Sequence, residues 1–187
     1  MVNHSLLLRR DHSQLLVIDV QDKLINTIHK VETMMDRARL VIAAARQFEL
    51  PITISEQYPK GLGATDAKLR EACGNVTPVF AKTAFSCLRD ETISAHLATH
   101  QQRKHLVIVG MEAHVCVLQT ALDAVVEGYS VFVVGDAVSS RSASDVEAAK
   151  HRMEKAGVTV ISAEMAFFEW LERAGTPDFK ALAPLLR

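Results

Sequence analysis

The sequence predicts a three-layer α/β/α domain around a six-stranded parallel sheet. Three observations carry that reading. Six short apolar runs, several rich in β-branched residues, punctuate the chain, and the first of them is continuous rather than alternating in character. Strands covered on both faces require that pattern, and parallel sheets are made of such strands. Between the runs lie stretches with apolar residues at helical spacing. Strand and helix then alternate steadily, which implies βαβ units with right-handed crossovers. The 187 residues suffice for one full hydrophobic core. No internal repeat, low-complexity segment or linker divides them, so residues 1–187 read as one domain.

In chain order, residues 14–20 (QLLVIDV) form the first strand, which runs up to Asp19. Residues 31–49 form a helix of several turns, with Met34, Met35, Ala38, Val41, Ile42, Ala45 and Phe48 on one side. The second strand is 51–55, where Pro51 suits a first strand position. Residues 56–64 (EQYPKGLGA) read as a loop from their proline and glycines. A short helix over 65–72 follows, capped by Thr65 with Asp66 in its first turn. The third strand, 78–81, runs straight into Lys82, and residues 92–102 are helical. The fourth strand, 105–109, stops at Gly110, and a helix beginning near Cys116 runs to the terminator Gly128. Residues 129–134 form the fifth strand, and Gly135, Asp136 and 139–142 a polar loop. A helix over 144–156, a sixth strand over 158–162 and a helix over 163–173 complete the alternation, with a last short helix from Pro177.

Composition narrows the function. The formal net charge is −1, and no Lys/Arg cluster interleaves with aromatics, so nucleic acid is not an expected partner. No apolar stretch approaches the length of a membrane span. Leu6, Leu7 and Leu8 are followed at once by Arg9, Arg10 and Asp11, too short a run for a signal-peptide core. Three unpatterned cysteines, Cys73, Cys87 and Cys116, argue against a disulfide framework and for a reducing, cytoplasmic compartment.

Ligand sites in open α/β sheets lie beyond the carboxyl ends of the strands. Asp19, Lys82 and Cys116 stand at three such ends. A cysteine alone is more often a small core hydrophobe, an acid at a strand end a loop cap, a lysine a surface charge. Together they suit nucleophilic catalysis: a thiol that attacks, a carboxylate that moves its proton, an ammonium that steadies both anions. A cysteine near a helix start also gains from the dipole, which favours thiolate.

VIDVQD around Asp19, AKTAFS around Lys82, GMEAHVCVLQTALDA around Cys116 and DAVSSR at 136–141 follow one another in order over nearly the whole chain. On these motifs the chain resembles the isochorismatase-like cysteine hydrolases, a superfamily that includes nicotinamidases and N-carbamoylsarcosine amidases. With EQYPKGLG at 56–63 it is similar to the isochorismatase domain-containing branch. The resemblance implies a sheet order of 3-2-1-4-5-6, with Asp19 and Cys116 on adjacent strands and Lys82 reaching in from the outer third. It implies an Asp19–Lys82–Cys116 triad and a non-proline cis peptide at Met111–Glu112. It also implies an oxyanion hole from the backbone N–H groups of Glu112 and Cys116. Gln21, Glu56, Tyr58 and Phe85 are candidate pocket residues.

Two departures shape the expected activity. Nicotinamidases bind a metal through an Asp and two His after the second strand; here that loop reads SEQYPK, with no histidine. No metal and no cofactor are therefore expected. Isochorismatases proper commonly lack the nucleophilic cysteine, and here Cys116 is present. The leading expectation is a hydrolase of a small amide acting through a cysteine thioester. The alternatives are a non-catalytic interaction protein on the same fold, an isochorismatase- or nicotinamidase-type hydrolase, and a redox-responsive thiol protein. A homo-oligomer, dimer or tetramer, is expected because Phe167, Phe168, Trp170 and Leu171 crowd one helix. His114, two residues before the cysteine, is assigned no catalytic role.

Overall fold

The structure, a computed structural model, describes residues 7–186; residues 1–6 and Arg187 of the expected domain lie outside the described residues. The strands are β1 (Ser13–Ile18), β2 (Ile52–Gln57), β3 (Val79–Lys82), β4 (His105–Met111), β5 (Ser130–Ser139) and β6 (Thr159–Ile161). All pair in parallel, in the order β3-β2-β1-β4-β5-β6. The chain order reverses between β1 and β4, which makes their carboxyl ends the switch point of the sheet. The helices are α1 (Asp22–Ile25), α2 (Val31–Gln47), α3 (Pro59–Leu62), α4 (Ala67–Cys73), α5 (Glu91–Thr99), α6 (Leu118–Val126), α7 (Ala143–Lys155), α8 (Ala163–Leu171) and α9 (Pro177–Leu182).

Alternation along β1 explains the layers. Leu15 and Val17 pack into one cluster with α2, α4, α8 and α9, while Leu16 and Ile18 pack into the other with α5, α6 and α7. All four are fully buried, and each such side chain contributes about 1.5–3 kcal/mol. No helix among the described residues is long and apolar enough to cross a membrane.

Several boundaries differ from the sequence reading. β5 runs on through Gly135 and Asp136 to Ser139, where a loop was expected, because Val138 and Ser139 pair with Gly110 and Met111 beyond a register shift. Asp66, not Thr65, caps α4: its carboxylate accepts the Leu69 N–H at 2.9 Å. Phe167, Trp170 and Leu171 are all buried, since i, i+3 and i+4 share one helix face; Phe168 alone of the four turns outward, 48% exposed.

The turn after β4 departs most. No cis peptide occurs among the described residues, so Met111–Glu112 is trans, against the expectation. Left-handed backbone at Glu112 (φ 59°) turns the chain instead, after Gly110 at φ 140°. A Cβ on Gly110 would lie 2.1 Å from the Ile18 carbonyl oxygen, so only glycine lets β4 lie this close to β1. Residues Ala113–Val117 then form a π-helical turn, and α6 begins only at Leu118. Cys116 thus sits inside a widened turn, not in the first turn of the α-helix.

Candidate active site

Asp19 follows β1 in left-handed conformation (φ 53°), and its N–H is held by the Ser55 carbonyl at 3.1 Å. One carboxylate oxygen accepts the Ser55 hydroxyl at 2.7 Å and the other the Lys82 ammonium at 2.8 Å. Both members of this ion pair are buried. Lys82 comes from β3, two strands away, and reaches past the end of β2. There it also donates to Gln57 Oε1 at 2.6 Å and to the carbonyls of Ala84 and Phe85 at 3.3 and 3.2 Å. The Cys116 thiol approaches the same Gln57 oxygen, at 3.9 Å.

Gln57 is the residue that sequence reasoning missed. It joins Lys82 to Cys116, and its orientation is fixed. Its Nε2 donates to the Thr83 carbonyl at 2.8 Å. Gln21 clamps its backbone from behind: Oε1 accepts the Gln57 N–H at 2.7 Å, and Nε2 donates to the carbonyls of Gln57 and Gly63 at 3.1 and 2.6 Å. The signal was strand alternation. Ser55 and Gln57 share one side of β2, and Glu56 takes the other. Glu56 accordingly faces away from the triad and accepts both the N–H and the hydroxyl of Thr65, at 2.7 Å each.

A cavity of about 350 Å³ opens over this network, at the small end of ligand pockets. Asp19, Gln57 and Cys116 line it, with Leu24, Leu62, Phe85 and Val115 as apolar walls. Of the four candidate pocket residues Phe85 lines this cavity; Gln21 stands one layer behind, Glu56 braces Thr65, and Tyr58 is 56% exposed at the start of α3. A larger cleft of about 670 Å³ beside α2 holds none of these reactive groups. Among the described residues no three His, Cys, Asp or Glu side chains gather to hold a metal ion. His114 pairs with Ser140 instead, its Nδ1 lying 2.9 Å from the hydroxyl.

The electrostatics correct one expectation. Burial, and then the negative charge of Asp19, push the Cys116 thiol far above its ordinary pKa; Lys82 offsets only part of this. The resting sulfur is therefore a thiol, not a dipole-stabilised thiolate. Burial works against the Lys82 ammonium, but the groups beside it, the Asp19 carboxylate foremost, outweigh that cost, and the pKa of Lys82 is raised. Cys87, fully buried, is pushed up to about 11, by burial first and Asp19 second.

A family model for the isochorismatase domain matches residues 13–165. The chain belongs to the isochorismatase family. Its relatives support the domain-containing branch read from the motifs. Isochorismatase family protein 1B of Dictyostelium discoideum is 33% identical over 177 residues, spanning 94% of this chain and 86% of its own. Isochorismatase domain-containing protein 2 of Xenopus laevis is 33% identical over 174 residues, spanning 93% of this chain and 83% of its own. Among solved structures, the MAR1 ribonuclease from Caenorhabditis elegans is 37% identical, with a TM-score of 0.89 over 96% of this chain and 91% of that one. Hydrolase chemistry is the general property of an isochorismatase-family fold.

Proposed function

We propose that the protein hydrolyses a small amide through a thioester on Cys116. Asp19 accepts the thiol proton as sulfur attacks the carbonyl carbon, since the thiolate is too costly to form beforehand. The backbone N–H groups of Glu112 and Cys116 take the oxyanion. Asp19 then hands the proton to the leaving amine, the C–N bond breaks, and an acyl thioester remains. Water attacks that thioester, Asp19 receives its proton, and the sulfur leaves and is reprotonated. Lys82 holds Asp19 and tempers the negative charge that passes between carboxylate and sulfur. No step calls for a metal or cofactor.

The observation that carries this reading is the continuous chain Ser55–Asp19–Lys82–Gln57–Cys116, opening on one small cavity. A panel of small amides, assayed for amine release and for acyl adducts on Cys116 by mass spectrometry, tests it. Turnover and an adduct are expected from wild type, and neither from Cys116→Ala. Wild-type turnover by that variant would sink the mechanism.

The name of the Caenorhabditis elegans relative suggests RNA cleavage as a second reading. A net charge of −1 supplies no excess of cation to draw a phosphate backbone, which favours the small amide. Cleavage of a labelled RNA oligonucleotide, lost in Cys116→Ala, would reverse that order. A reducing, cytoplasmic setting belongs to the same proposal and is supported by three unpaired, buried cysteines.

A further inference from the structure

The proposed chemistry uses neither the run DAVSSR at 136–141 nor His114. The structure joins the two. Beyond its register shift β5 pairs Val138 and Ser139 with Gly110 and Met111, so Ser140 leaves the strand beside the turn that carries Cys116. The Ser139 hydroxyl donates to the His29 carbonyl at 2.6 Å, and the His29 N–H donates to the Ser140 carbonyl at 2.8 Å. Ser140 is thereby held from behind, and it is fully buried. Its hydroxyl oxygen meets His114 twice, 3.3 Å from the backbone nitrogen and 2.9 Å from Nδ1. Arg141 Nη2 lies 3.4 Å from Nε2 of the same ring. An arginine can only donate, so Nε2 carries the lone pair and Nδ1 the proton. The Ser140 oxygen therefore accepts both N–H groups of His114. A serine this close to a histidine has the geometry of an activated nucleophile, yet Ser140 does not line the cavity over Cys116. It is a brace. Val115 and Val117 give their N–H groups to the Glu112 carbonyl, at 2.9 and 3.4 Å, within the turn. His114 instead ties the turn to the residue after β5.

We propose that Ser140 is a positioning residue for the oxyanion site: through His114 it fixes the turn whose Glu112 and Cys116 N–H groups meet the reacting carbonyl. The oxyanion half of this statement rests on the function proposed above. Left-handed Glu112 and a π-helical turn are uncommon backbone states that surrounding contacts must hold. Oxyanion donors act only when aimed beforehand, and a misplacement of about 1 Å costs up to roughly a hundredfold in rate. Removing the Ser140 hydroxyl leaves two N–H donors facing a methyl group and frees the turn.

The test compares two reactions of Cys116. Alkylation by iodoacetamide is a displacement at carbon and forms no oxyanion. Addition of propionaldehyde bonds sulfur to the carbonyl carbon and moves the thiol proton to the carbonyl oxygen, which the N–H pair then holds. Protection of Cys116 from iodoacetamide by the aldehyde, read by peptide mapping, gives the aldehyde dissociation constant. Ser140→Ala should leave the alkylation rate within about twofold of wild type and weaken the aldehyde about tenfold or more. His114→Ala keeps a backbone N–H for Ser140 and should weaken it less; it carries the test, with the same outcomes, if circular dichroism shows Ser140→Ala unfolded. On any amide that turns over, Ser140→Ala should lower kcat about tenfold with KM within about twofold. An aldehyde constant unchanged in Ser140→Ala overturns the assignment. So does an alkylation rate that falls as far as the aldehyde affinity, or a wild type that the aldehyde fails to protect. Protection lost in Ser140→Ala, with no amide turned over by wild type, keeps Ser140 and discards the amidase. Amide turnover with protection intact in Ser140→Ala does the reverse.

Discussion

At Cys116 two demands oppose each other. A nucleophile needs its thiolate, yet burial and the nearby Asp19 charge favour the thiol. The raised pKa makes a prediction about reactivity. Alkylation of Cys116 by iodoacetamide should keep rising with pH through 9 rather than level off near 8, as mass-spectrometric peptide mapping will read. Cys116 should still react before Cys73 and Cys87, because it alone of the three lines the cavity. Lys82 bears on stability. Lys82→Met would strand a buried carboxylate, and truncating one partner of such a pair costs about 3–5 kcal/mol. Urea unfolding should show a loss of that size; a change below about 1 kcal/mol would mean that Ser55 and water suffice for Asp19. Asp19, Lys82 and Cys116 were legible in the sequence because each is a reactive type at the end of an apolar run. Gln57 was not, since an amide beside a carboxylate draws less notice, and only alternation from Ser55 marks it. Gln57→Ala should lower kcat about tenfold or more by loosening Lys82, with the fold unchanged by circular dichroism.

Among the elements, the turn from β4 to α6 governs the site. Its first requirement is Gly110, whose missing side chain lets β1 and β4 meet. Gly110→Ala should cost about 2–5 kcal/mol, from overpacking against backbone together with a disfavoured φ. Thermal melting measures it, and an unchanged midpoint would refute the close approach. The strand centres and helices could be read from the sequence because burial on both sheet faces leaves continuous apolar runs. Strand ends could not, because a partner decides them: β5 extends to Ser139 only where β4 offers Gly110 and Met111. The turn itself was read by family likeness as a cis peptide. Left-handed Glu112 and a π-helical turn do that work here, and neither has a sequence signature as plain as a Gly or Pro pair.

At the scale of the whole molecule, pH acts through His105, buried at the start of β4 with Nδ1 accepting the Arg9 N–H at 3.2 Å. Burial lowers its pKa from 6.5 to about 4. Between those values the unfolded chain binds a proton that the folded chain refuses. Stability is therefore full above 6.5 and falls as pH drops toward 4. The urea midpoint should decline from pH 7 to pH 5, and His105→Asn should flatten that decline. Assembly is a second expectation at this scale. Phe168 and Met165 stand about half exposed on α8, and light scattering should return a dimer or tetramer that Phe168→Asp weakens; a wild-type monomer at micromolar concentration would refute it. The sheet order also has a consequence during biosynthesis. β1 is translated first yet completed late, since its Ser13 pairs with His105, 92 residues further on. At about 5–20 residues per second, one edge of this strand, whose residues are all buried in the fold, waits roughly 5–20 s for its neighbour. During that wait the nascent chain is a target for wrong pairing and for chaperones. Slow synonymous codons between β2 and β4 should therefore lower the soluble yield, while the same codons placed after β5 should not.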